Sequence, residues 1–136
     1  MNQYRFIGYN QVLIVSSGGV YSTMKVYSPW VPSGGISYAW VMLPGSGANH
    51  WAQFGPYEVV GGTRHNTAQY ADGGAPVQFD FAADAIGSSH TFTVLYDPSS
   101  KYFTWQHVGN SVLHRQLTSY VPMGAQISEE TNYADV

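Results

Sequence analysis

The chain contains no cysteine. That excludes both a disulfide framework and a thiolate metal site. Charge is scarce too: 5 Lys and Arg against 8 Asp and Glu, or 10% of 136 residues, with a formal net charge of −3. A typical soluble domain carries about a quarter charged residues. There is no basic run or stripe to meet a phosphate backbone, so no nucleic-acid partner is expected. No apolar run approaches the ~20 residues that span a bilayer, and Gln11 to Val15 falls far short. No membrane partner is expected. The N-terminus lacks the basic, apolar and small-residue order of a secretory leader, so Met1 reads as the start of a mature domain. Gly-x-Ser-x-Gly elbows, phosphate loops and the HxH or HExxH spacings are all missing. Among the five histidines, only His65 and His107 suggest an encounter in space, and no metal or cofactor is expected.

Aromatic residues, by contrast, reach 15%, led by 11 Tyr, and 15 Gly and 7 Pro punctuate the chain. Abundant Tyr, Val, Thr and Trp between frequent turns is β-protein composition. The polar, Tyr-rich, Lys-poor make-up points to an extracellular setting.

Read in order, Met1–Ser17 is a strand region and Ser16–Gly19 a turn. Val20–Val31 alternates as a half-buried strand. Pro32-Ser33-Gly34-Gly35 breaks the chain. Two strands follow, around Ser37–Gly45 and Trp51–Tyr57. Thr63–Tyr70, Pro76–Phe81, Ser111–Leu117 and Ala125–Thr131 are further strands. Ala82–Ile86 reads as a loop or a helical turn. The clearest hairpin is His90–Val108, turning at Asp97-Pro98-Ser99-Ser100. Asp72 and Asp97 read as turn formers. Nine or ten short strands with turns every 8–12 residues indicate one all-β sandwich domain covering residues 1–136.

The pair Ser37–Gly45 and Trp51–Tyr57 organises the rest. Side chains alternate between faces along a strand. Val41, Leu43, Ala52 and Phe54 take the core parity. Tyr38, Trp40, Trp51 and Gln53 take the other, which places an amide among aromatic rings. Phe103 and Trp105 read as core.

Ala39-Trp40-Val41-x-Leu43 with Ala52-Gln53-x-Gly55 resembles the "AWVGID…LQTG" block of the eqolisins, the glutamic peptidases. Ala125-Gln126-Ile127-Ser128-Glu129-Glu130 is similar to their "AEWIVE" strand, and Tyr27–Pro32 sits where the family has a strand ending in "VP". The order holds from Val20 to Thr131 and is similar to that of small secreted actinobacterial proteins without an assigned activity. The resemblance implies a concanavalin-like sandwich of antiparallel sheets, one bent around a groove. It further implies that Gln53 and Glu130 are catalytic. Two positions depart from the family pattern: Gln69 stands where "WYEWYP" has its Glu, and Gln126 where "AEWIVE" has its first.

Two chemistries suit that face. A Glu130 carboxylate can act as general base on a water while the Gln53 amide holds an oxyanion, giving acid hydrolysis of a peptide bond. Alternatively, Tyr38, Trp40, Trp51 and Tyr57 form an aromatic platform, with Gln53, Gln69, Gln126 and Ser128 bonding the hydroxyls or amides of a glycan or polypeptide lying in the groove. A third expectation is self-assembly through an exposed edge at Gln11–Val15.

Overall fold

A computed structural model describes the backbone of residues 2–11, 18–26, 35–59 and 63–134, and the side chains of 18–26, 35–59 and 63–128. Expectations for 12–17, 27–34 and 60–62, including the edge at Val12–Val15, lie outside the described residues. Among the described residues ten strands follow one another: β1 Asn2–Gln11, β2 Gly18–Lys25, β3 Ile36–Pro44, β4 His50–Val59, β5 Arg64–Asp72, β6 Val77–Ala82, β7 Ser89–Asp97, β8 Tyr102–His107, β9 Asn110–Gln116 and β10 Ala125–Ala134. They form two antiparallel sheets, β1-β10-β3-β4-β5-β6 and β2-β7-β8-β9. The architecture is the expected concanavalin-like, all-β sandwich.

Alternation builds the core. Val41, Leu43, Ala52, Phe54 and Ala68 point from the larger sheet toward Phe92, Val94, Phe103, Trp105 and Leu113 of the smaller. Phe54 meets Phe92 edge-on at 5.1 Å, and Tyr70 tilts against Trp105 at 5.7 Å. Each large side chain fully removed from water contributes about 1.5–3 kcal/mol. Phe103 and Trp105 are fully buried, as their parity required.

The connections follow the sequence reading in part. Gly18 and Gly19 belong to β2, because Tyr96 and Leu95 of β7 extend the pairing to them. Ala83–Ala85 is loop, the first of the two expected alternatives, and the turn that follows uses Gly87 at φ 87°. Asp72 ends β5 directly before the bend at 73–75, where Gly73 takes φ 86°. The Asp72 carboxylate accepts the Thr118 and Ser119 backbone N–H groups at 3.2 and 3.0 Å, holding the segment after β9 across one end of the sandwich. In that segment Tyr120 stacks on Phe103 at 5.2 Å and donates its hydroxyl to the Leu43 carbonyl at 3.0 Å. Burial, assisted by the nearby Asp72 charge, pushes the Tyr120 phenol far above its ordinary range.

Candidate functional site

The face of the larger sheet that turns away from the core is read from its register. Gln126 of β10 lies opposite Met42 of β3, Met42 opposite Gln53 of β4, Gln53 opposite Gln69 of β5, and Gln69 opposite Gln78 of β6. One lateral row therefore crosses five strands and carries four amides and a thioether. Strands sit about 4.8 Å apart, within reach of long side chains.

Three of these amides join head to tail. Gln53 Nε2 donates to Gln69 Oε1 at 2.6 Å, Gln69 Nε2 to Gln78 Oε1 at 2.6 Å, and Gln78 Nε2 to Asp80 Oδ1 at 2.9 Å. The Thr67 hydroxyl donates to the same Asp80 oxygen at 2.8 Å. A carboxylate only accepts hydrogen bonds, whereas an amide has a donor end and an acceptor end. Asp80 thus selects the donor end of Gln78, and the choice propagates to Gln69 and Gln53. Gln53 ends the ladder with Oε1 and a second N–H not committed to it. Its side chain is only 5% exposed, so that orientation is well confined.

The expected site residues divide into three groups. Gln53, Gln69 and Gln126 share the row, with Met42, which was not expected, between Gln53 and Gln126, and Trp51, half-buried, lies two residues from Gln53 on the same face. Tyr38 and Trp40 also have this parity, but their rings are covered, at 2% and 3% exposure. The Tyr38 hydroxyl is committed to the Thr67 carbonyl at 2.7 Å. Tyr57 stays half-buried, with its ring edge-on to Tyr38 at 5.3 Å. Ser128 pairs with Trp40, and Glu130 with Tyr38. Glu130 is thus four residues along β10 from the Gln53 row, about 13 Å at strand rise; its side chain lies outside the described residues. The β10 residue in line with Gln53 is Gln126.

Sequence reasoning missed Gln78 and Asp80. Both were legible in the β6 alternation, opposite in parity to Val77, Phe79 and Phe81, but their partners on β5 were not. It also missed a second polar cluster at the end of the sandwich. His65 and His107 do not form the histidine pair. Instead His90 of β7 stacks on His107 of β8, ring centroids 5.2 Å apart. His107 Nε2 lies 2.8 Å from Asp84 Oδ2, and His90 Nδ1 lies 3.7 Å from Asp84 Oδ1. Ligand atoms of the three all fall within 4.8 Å of one another, a grouping suited to a metal ion. Parity carried the signal: His90 is in step with Phe92 and Val94, and His107 with Phe103 and Trp105, so both histidines point inward.

No protein-family profile matches the chain, and no characterised protein matches it in sequence. Among solved structures it is similar to scytalido-glutamic peptidase bound to a peptide-based transition-state analogue, with a TM-score of 0.70 and 18% identity, covering 96% of this chain and 65% of that one. It is also similar to the carbohydrate recognition domain of Emp47p, with a TM-score of 0.60, 14% identity and coverage of 98% and 71%. A third similar structure is the Bacillus licheniformis β-glucanase, with a TM-score of 0.53, 17% identity and coverage of 99% and 59%. The chain thus spans about two-thirds of these proteins' lengths, and at such identities the likeness establishes a shared concanavalin-like sandwich fold.

Proposed function

We propose that this protein is a non-catalytic, extracellular binding module, and that the outer face of its larger sheet takes a neutral glycan chain. The observation that carries this reading is the ladder Gln53–Gln69–Gln78–Asp80, whose polarity the terminal carboxylate fixes. A row of oriented amides offers donors and acceptors at regular spacing to hydroxyls, and half-buried Trp51 supplies a flat apolar surface beside it. The fold's occurrence in a carbohydrate recognition domain and a β-glucanase supports the reading.

Glutamic-peptidase chemistry is the second reading. It is favoured by the second N–H of Gln53, which the ladder leaves over, and by Glu130 sharing the parity of Gln126 on β10. Acid hydrolysis would require the Glu130 carboxylate to activate water while Gln53 stabilises the oxyanion. Against it, the β10 residue level with Gln53 is an amide, Gln126.

One experiment separates the two. The protein is screened against glycans and, in parallel, incubated with denatured casein at acidic and neutral pH. Glycan binding lost in Gln53→Ala and retained in Glu130→Gln supports the module. Casein cleavage abolished by Glu130→Gln overturns it in favour of the peptidase.

A further inference from the structure

We propose that Asp84, His90 and His107 form a binding site for one first-row divalent metal ion, of which zinc best fits the donor set. The site lies at an end of the sandwich, away from the amide row, and does not depend on what that row binds.

Three elements bring the ligands together: the loop after β6 supplies Asp84, β7 supplies His90 and β8 supplies His107. Their side chains are partly enclosed, at 12%, 26% and 25% exposure, which leaves an approach for an ion. Zinc holds nitrogen and oxygen ligands at about 2.0–2.1 Å, which sets the edges of its tetrahedron at about 3.3 Å. The separations of 2.8 Å and 3.7 Å from the Asp84 oxygens to the two histidines bracket that value. The 3.7 Å gap is too long for a hydrogen bond, yet it suits two ligands of one ion.

Outer partners are also in place. His90 Nε2 lies 2.9 Å from the Ser88 hydroxyl, which orients the ring so that Nδ1 faces Asp84. Asn66 Nδ2 donates to Asp84 Oδ2 at 3.0 Å and to the Ala82 carbonyl at 3.1 Å, and Arg64 Nη1 donates to the Asp84 carbonyl at 3.0 Å. Metal-binding histidines and carboxylates are typically fixed by such second contacts. With both Asn66 donor bonds made, its buried Oδ1 is left with no hydrogen-bond partner among the described residues. Asn66 and Asp84, with Glu58 and Arg64, also line a neighbouring cavity of about 280 Å³, which neither His90 nor His107 lines. Two imidazoles and one carboxylate select zinc or its first-row neighbours over calcium and magnesium, which need more oxygen ligands. Three protein ligands would leave a fourth position for water.

The test is isothermal titration of the full chain, free of any histidine tag, with zinc at neutral pH, repeated with cobalt for its tetrahedral absorption spectrum. The expected result is one zinc per chain, displaced by neither calcium nor magnesium. His90→Gln and His107→Gln, checked for folding by circular dichroism, should each weaken zinc roughly tenfold or more. His65→Gln should leave it unchanged. Absence of zinc binding by the wild-type chain, or binding that survives in both His90→Gln and His107→Gln, overturns the proposal.

Discussion

The indole Nε1 of Trp105, on the smaller sheet, donates a hydrogen bond to the backbone carbonyl of Gln53, on the larger, at 3.1 Å. Trp105 is fully buried, so the bond joins the centre of the core to the strand that presents the candidate site. Trp105→Phe removes the donor and leaves a buried carbonyl without it. The expected cost is about 0.5–1.5 kcal/mol for the lost hydrogen bond, increased by the cavity left by the smaller ring. Urea unfolding measures it as a lower midpoint at constant slope. Glycan affinity should fall with it, because the Gln53 backbone loses its anchor to the opposite sheet.

Gly55 stands two residues further on in β4, beside β3. A Cβ built there would lie 1.8 Å from the Ala39 carbonyl oxygen and 2.9 Å from the Trp40 Cα, both backbone atoms. Neither can swing aside as the end of a side chain could. Gly55→Ala therefore forces the strands apart, at an expected cost of at least about 1–3 kcal/mol. Gly74→Ala is the control: none of the described residues lies within 4 Å of its Cβ position, so its melting temperature should stay close to wild type.

Much of this was legible in the sequence. The alternation of Val41, Leu43, Ala52 and Phe54 against Tyr38, Trp40 and Gln53 fixed which residues faced the core. The hairpin turn at Asp97-Pro98-Ser99-Ser100 was also legible, although the turn runs on to Lys101, which adopts φ 60°. Strand register was not legible, and register decides which residues meet. A sheet places Gln53 beside whichever β5, β3 and β10 residues the turns and the core dictate, and those are Gln69, Met42 and, one strand beyond, Gln126. The covering of Trp40 and Tyr38 was hidden for a related reason: parity gives the face a ring occupies and says nothing of what lies over it. Asp84, His90 and His107 are scattered along the chain without a motif, and only the β7–β8 pairing brings the histidines together.

The ladder gives a prediction that reports on more than stability. If Asp80 sets the direction of the three amides, Asp80→Ala releases Gln78 and Thr67 from their common acceptor and lets the amides reverse. The side-chain N–H₂ resonances of Gln53, Gln69 and Gln78 should be distinct in the wild-type NMR spectrum and move toward the position of free glutamine in the variant. Glycan affinity should drop roughly tenfold, equivalent to one or two hydrogen bonds of about 1 kcal/mol each. Resonances that stay put would mean that packing alone orients the amides.

The β7–β8 turn carries a prediction about acid. Asp97 accepts the Ser99 hydroxyl at 2.7 Å, the Ser100 hydroxyl at 2.8 Å and the Ser99 backbone N–H at 3.0 Å. These bonds, the Ser99 hydroxyl first, hold its carboxyl below the ordinary value of 3.8. A carboxyl whose folded-state pKa is depressed binds its proton more weakly in the folded chain than in the unfolded one. Its contribution to stability is therefore complete above pH 3.8 and is lost as pH falls through the lower folded value. Asp97→Ala should melt at a lower temperature than wild type near neutral pH, and the difference should close as the medium is acidified below that point. Melting curves of the two proteins from about pH 7 to about pH 2 measure the gap, and a gap of unchanged size across that range would show that the aspartate acts through turn shape rather than through its charge.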